Sequence, residues 1–298
     1  MRLNVLNAWR GVARSVALSV AVLGMLSGCS ALRVAYDTGP TLAWWWIDGY
    51  ADFSGEQANR VKDGIRQWFG WHRTTQLPEY AGWLAGTRGK IADSITPAQV
   101  CRVWDESRRL LDPAIDRGVL TAAPWVPGLT EAQFRHIERR YAKAIGEMRS
   151  DFLQADPAER QAAALKRTVE RVATIYGSVD EAQRKLISDG IKASPFDPDA
   201  WLNERQRRQR DTLQTLRRLV AEKADNDRVV AALRALAERS ERSPDPAYRD
   251  YQLKLVDYNC AFGARIHNAM SPAQRQAARD RLKGWEEDLR ALAAGTPP

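Results

Sequence analysis

A helix-start signature that recurs along the chain constrains the fold more than any other feature. Thr96-Pro97-Ala98-Gln99 supplies an N-cap hydroxyl, a proline at the first helical position and a glutamine at the third. In such a capping box, cap and glutamine side chains each accept the other's free backbone N–H. Ile95 and Val100 flank it as a hydrophobic staple. The grammar returns at Leu129-Thr130-Glu131-Ala132-Gln133, Val179-Asp180-Glu181-Ala182-Gln183 and Met270-Ser271-Pro272-Ala273-Gln274, and more loosely at Phe53-Ser54-Gly55-Glu56-Gln57. Asp156-Pro157, Asp197-Pro198 and Asp245-Pro246 read as further starts without the glutamine. The five glutamine-bearing caps are 42, 34, 50 and 91 residues apart, which excludes a solenoid of fixed period.

Between these starts, apolar residues step by three or four. Phe134, Ile137, Tyr141, Ile145, Met148 and Phe152 form one stripe, and Tyr248, Tyr251, Leu255, Tyr258, Phe262 and Ile266 another. Leu165, Val169, Val172 and Tyr176 make a shorter one, and Ala278, Leu282, Trp285, Leu289 and Leu292 close the chain. Each is one face of an amphipathic helix that must pack on a neighbour. Strand-like alternation is absent. The expectation is an all-α fold, a multi-helix bundle of about eight to ten amphipathic helices forming a single domain over 41–293. Residues 29–40 read as a tether, 121–128 as the clearest internal loop, and 294–298 as a disordered tail.

The N-terminus carries an address. Arg2, Arg10 and Arg14 precede an apolar run from Val16 to Leu26, and Leu26-Ser27-Gly28-Cys29 reads as a lipobox. At 11 residues the run is too short to span a bilayer. Residues 1–28 are therefore expected to be a lipoprotein signal peptide, cut before Cys29, whose thiol takes a diacylglyceryl group. Two or more acyl chains make such anchoring stable. Ser30, rather than aspartate, resembles an outer-membrane sorting residue. The expected product is lipid-anchored at the outer membrane and faces the periplasm.

Removing the leader lowers the formal charge from +8 to +5, mild for the remaining length. Nucleic acid is not an expected partner in that compartment. Cys101 and Cys260 remain as a pair in an oxidising environment, either bridged or as two buried thiols.

Several side chains stand out. Trp44, Trp45 and Trp46 are consecutive, and neighbours on a helix point about 100° apart, so all three cannot share one core face. At least one belongs on the surface, either incidentally or as an aromatic contact for a partner or the lipid interface. Trp68, Phe69, Trp71 and His72 surround another helix, with Trp68 and His72 one turn apart. These residues (Trp44, Trp45, Trp46, Trp68, Trp71 and His72) are the candidate binding surface. His136 and His267 are far from His72 in sequence, and no pair has helical metal-ligand spacing, so neither a metal nor another cofactor is expected. Arg205, Arg207, Arg208, Arg210, Arg217 and Arg218 form the densest basic run, read as a solvated face or as a site for anionic lipid groups. No nucleophile elbow or glycine-rich phosphate loop is present, and the acids offer no pair that sequence singles out.

The order and spacing of the lipobox, Leu32 to Tyr36, Trp44 to Asp52, Trp71-His72-Arg73 and Leu77-Pro78-Glu79-Tyr80 resemble the uncharacterised Gram-negative lipoproteins grouped as domain of unknown function 6279. That resemblance implies an all-helical fold and assigns no activity. More distantly, Leu129 to Gln133 matches the Leu-Thr-x-x-Gln box of Spy- and CpxP-type periplasmic chaperones, while the other copies depart from it. The expected function is non-enzymatic: binding, chaperone-like or scaffolding work on an envelope protein or peptide. Lipid or glycolipid binding is the alternative, and a cell-wall hydrolase a third. Nothing in the sequence assigns an oligomeric state.

Overall fold

The computed structural model describes residues 31–295. The leader 1–28, Cys29 and the last residues of the expected tail lie outside them. Among the described residues there are eleven α-helices and no strand, so the all-α expectation holds. They are α1 (Ala31–Asp37), α2 (Gly39–Ala51), α3 (Gly55–Lys90), α4 (Pro97–Ala122), α5 (Glu131–Phe152), α6 (Pro157–Tyr176), α7 (Glu181–Lys192), α8 (Pro198–Ala221), α9 (Asn226–Glu241), α10 (Pro246–Asn268) and α11 (Pro272–Ala294).

α3 is the spine. α11 runs along it, fastened by Arg88 to Glu286 at 3.0 Å and by Arg73 Nη1 donating to the Leu292 carbonyl at 3.2 Å. α4 lies on another side of the spine, where Trp68 Nε1 donates to the Ala114 carbonyl at 3.2 Å. A disulfide between Cys101 and Cys260 ties α4 to α10, with Cα atoms 5.3 Å apart. One apolar core gathers Ala123, Val126, Leu219, Ala224, Val229 and Val230. Another gathers Val172, Ile187, Ile266 and Met270.

The helix starts do more than cap. Complete boxes form at Thr96, Thr130, Asp180 and Ser271, whereas the looser Ser54 makes no side-chain cap. Two of these boxes are joined through space. Gln183 Nε2 donates to Gln274 Oε1 at 2.7 Å, and Gln274 Nε2 donates back to Gln183 Oε1 at 2.9 Å. The remaining amide protons go to the carbonyls of Ala269 and Ser178. At the other end of the bundle Gln133 Nε2 donates to Gln57 Oε1 at 3.1 Å, and Gln57 donates to the Gly128 carbonyl. A fifth amide, Asn268, accepts from Ile95 N at 2.8 Å and donates to Ile95 O at 2.9 Å, so it holds the entry to α4 as a strand partner would.

Two expectations are corrected. Residues 31–40 are not a tether: α1 and the start of α2 are helical and docked. Arg33 meets Asp288 at 2.8 Å, Asp37 meets Arg73 at 2.7 Å, and Tyr36 meets His72 at 2.9 Å. Pro40 sits in the first turn of α2, where proline is tolerated, and the partners that dock these residues lie too far along the chain for local reading. These two short helices also bring the number above the expected range. Residues 121–128 are not an open loop either. Ala123–Gly128 is a 3-10 helix that buries Ala123 and Val126 in the core.

The paired amides make a prediction. An isolated capping box accepts glutamate or glutamine alike. In Gln183→Glu a carboxylate would face the Gln274 and Ala269 oxygens with nothing to donate. Denaturant unfolding is expected to show a loss of about 2 kcal/mol, the cost of unpaired buried acceptors. An unchanged midpoint would mean that the box merely caps.

Candidate functional site

The predicted aromatic surface divides in two. On α2, Trp45 and Trp46 are 65% and 67% exposed, while Trp44 is half-buried beneath Lys62, whose Nζ stands 4.5 Å from the ring centre. Two of the three tryptophans therefore face outward. Trp46 leans on Tyr50 at 5.2 Å, and Tyr50 on Tyr141 at 5.9 Å.

Trp68, Trp71 and His72 belong instead to a half-buried aromatic joint between α1, α3 and α4. His72 is buried, stacked on Trp68 at 4.6 Å and bonded through Nδ1 to the Tyr36 hydroxyl. Burial pushes the His72 imidazole down to about 4 and the Tyr36 phenol up to about 12. This cluster holds α1 in place, and His72 is removed from any binding surface.

The other histidines do similar work. His267 Nε2 lies 2.9 Å from the Asp93 carbonyl, which can only accept, so Nε2 carries the proton. Nδ1 then accepts from the Tyr176 hydroxyl at 2.8 Å. Burial lowers the pKa of His267, and a second ring proton would have to displace the Tyr176 donor. His136 Nε2 donates to the Gly49 carbonyl at 3.1 Å and fastens α2 to α5. Among the described residues no group of three or more His, Cys, Asp or Glu side chains is placed to hold a metal ion.

The basic run on α8 departs from the solvated-face reading. Glu204, which sequence reading missed, is buried beneath it. Arg207 grips Glu204 with Nε at 2.7 Å and Nη2 at 2.9 Å, and Arg208 Nε adds a contact at 2.9 Å. Burial alone would raise the Glu204 carboxyl; the two guanidinium hydrogen bonds outweigh it and hold the pKa below the usual range. Arg217 is taken by Glu138 at 2.7 Å and Glu131 at 2.9 Å. Asp211 binds Arg239 through two contacts at 2.8 and 3.0 Å. Within the run, Arg207 and Arg208 are spent on Glu204 of α8 itself, Arg207 also reaches the Arg239 carbonyl of α9, and Arg217 ties α8 to α5; Arg205, Arg210 and Arg218 are exposed.

A further open apolar feature was not among the predicted residues. α4 is 26 residues long and amphipathic, yet none of its residues is buried. Trp104, Leu111 and Ile115 are each about half exposed. Leu111, Ile115 and Val119 floor a groove of about 570 Å³ against α9, with Ala237 on the facing wall. Its rim is charged in both signs. Arg234 binds Asp116 at 2.7 and 3.1 Å, and Arg108 binds Glu241. The Arg234 hydrogen bond holds Asp116 below the usual carboxylate range, the reverse of what a general acid needs. The sequence signal was there: Trp104, Leu111 and Ile115 repeat at intervals of seven and four.

These features define an all-helical protein whose buried polar side chains join helices and whose open faces are apolar. The chain belongs to the family of unknown function DUF6279, whose model matches residues 49–249. No curated protein and no solved structure matches it.

The buried histidine sets a pH dependence. In the unfolded chain His72 protonates near 6.5, but in the folded protein only near 4. Between those values the unfolded state binds more protons, so stability falls as pH drops from about 6.5 towards 4. His267 acts in the same direction. Unfolding measured across this window should lose up to about 3 kcal/mol through His72, and His72→Gln should flatten the slope by that much. An equal slope in the variant would place the acid sensitivity elsewhere.

Proposed function

We propose that the chain is a lipid-anchored lipoprotein of the outer membrane, facing the periplasm, that binds an envelope polypeptide without catalysing a reaction. The lipobox ending at Cys29 and the sorting residue Ser30 support the address. Among the described residues no helix is long and apolar enough to cross a membrane.

The uncovered face of α4 carries the binding reading. An amphipathic helix gains its stability by covering its apolar stripe. Here that stripe lies open along a groove whose rim arginines are paired, Arg234 with Asp116 and Arg108 with Glu241, while Asp112 and Glu238 add acidic groups. A groove with an apolar floor and arginines already neutralised by Asp116 and Glu241 offers little to a phosphate or sulfate group. It suits the apolar side chains of a polypeptide, with rim residues of either sign available to polar neighbours. The basic run of α8 gives the glycolipid alternative less support than its sequence promised, because Arg207, Arg208 and Arg217 are engaged internally. A hydrolase would need paired carboxylates with one held protonated. Asp116 in this groove is held ionised by Arg234.

A photo-crosslinking residue at Ile115 in living cells tests the reading, with Leu253, an exposed leucine on α10, as the control position. A polypeptide adduct specific to Ile115, weakened several-fold by Leu111→Glu, is expected. Lipid adducts, or a pattern equal to that at Leu253, would overturn the reading. In the same cells Cys29→Ala should abolish palmitate incorporation and release the protein from the membrane fraction.

A further inference from the structure

The outward face of α1 and α2 is largely uncovered. The two helices run as one rod, because Thr38 N donates to Val34 O and Leu42 N donates to Thr38 O across their junction, both at 3.1 Å. At about 100° per residue, Ala31, Val34, Ala35, Thr38, Leu42, Trp45 and Trp46 fall within an arc of about 120°. None of them is charged. Val34, Leu42, Trp45 and Trp46 are all at least half exposed, and the Thr38 hydroxyl is spent on the Val34 carbonyl at 2.9 Å. The charged side chains Arg33 and Asp37 turn the other way, onto Asp288 and Arg73.

The position of this face in the chain selects its occupant. Cys29 is two residues before Ala31 in the sequence, and two residues of chain span at most about 7 Å. With α1 docked onto α3 and α11 there is no long flexible linker to hold the body away from the bilayer. An uncharged stripe ending in two exposed tryptophans, beginning at a membrane anchor, has the chemistry of a helix lying in the headgroup region.

We propose that the Val34–Leu42–Trp45–Trp46 face seats on the phospholipid surface and fixes the orientation of the whole bundle on the membrane. This rests on the lipid-anchor reading for Cys29. A second copy of the chain or a protein partner on this face would be a different outcome.

The test uses the mature acylated protein in phosphatidylcholine and phosphatidylglycerol vesicles. With Cys29 acylated and Cys101 bridged to Cys260, Leu42→Cys or Leu253→Cys supplies the one free thiol for an environment-sensitive fluorophore. Lipids brominated in their acyl chains are expected to quench the label at 42 several-fold and to leave the label at 253 bright. Adding Trp45→Ala and Trp46→Ala should reduce quenching at 42 while vesicle flotation stays the same. Equal quenching at 42 and 253 in an acylated, vesicle-bound protein overturns the seating, and protection of 42 that grows with protein concentration without quenching assigns the face to self-association instead. Intact mass separates the two readings: a chain without acyl groups on Cys29 overturns the anchor, and with it the argument for the occupant.

Discussion

The amide-to-amide hydrogen bond between helix starts is the interaction on which this architecture depends. A helix N-terminus leaves backbone N–H groups unsatisfied, and a capping box answers two of them. Glutamate would serve that purpose, and the helix dipole would favour it. The chain uses glutamine at every complete box, and at Gln133, Gln183 and Gln274 the geometry supplies the reason. Gln183 and Gln274 each accept from their own cap while donating to one another and to the carbonyls of Ala269 and Ser178. Only a group with both an acceptor and two donors can close that set. The starts of α7 and α11 are thereby fixed to one another, with the end of α10 between them.

The surrounding architecture follows. The last turns of α10 hold several distant segments at once. Asn268 holds Ile95, His267 holds Asp93 and Tyr176, and the Ala269 carbonyl receives Gln183. The Cys101–Cys260 bridge adds a covalent tie two turns away. The entry of α4 is therefore anchored through its backbone and its disulfide rather than through a buried side-chain stripe. A helix held at its end in this way can leave its apolar residues uncovered without being lost from the fold. That is how Leu111 and Ile115 come to lie open.

The separate helices were legible in the sequence because caps and periodicity are local signals. Thr130, Asp180 and Ser271 head helices as read, and the three Asp-Pro pairs cap theirs. Trp68 and His72 share a face, as one helical turn requires. Other features depended on partners remote in the chain. Arg207 and Arg208 looked solvated because nothing local marks Glu204 as buried, although it stands three and four residues before them. α1 looked like a tether because Asp288 and His72, which dock it, are distant. For the site, the sequence reading grouped as one surface two sets of aromatic residues that fold apart. It missed α4, since amphipathic spacing reports an apolar stripe and not whether a neighbour covers it.

The likeness to chaperone boxes can now be weighed against the geometry. Leu129 to Gln133 is the copy that matches outright, and each of its polar groups has a structural task. Thr130 and Gln133 cap one another, and the Gln133 amide donates onward to Gln57 and to the Asp52 carbonyl. Folding alone accounts for the motif, so the motif lends a chaperone-like role no independent weight. Whatever weight that role has comes from α4, where an apolar face stands open with its flanking arginines already paired. Trp45 and Trp46 make a second open face, but theirs begins next to Cys29 and lacks the charged rim. We assign these two apolar surfaces by their borders: the rimmed groove to a polypeptide, the uncharged stripe next to Cys29 to lipid.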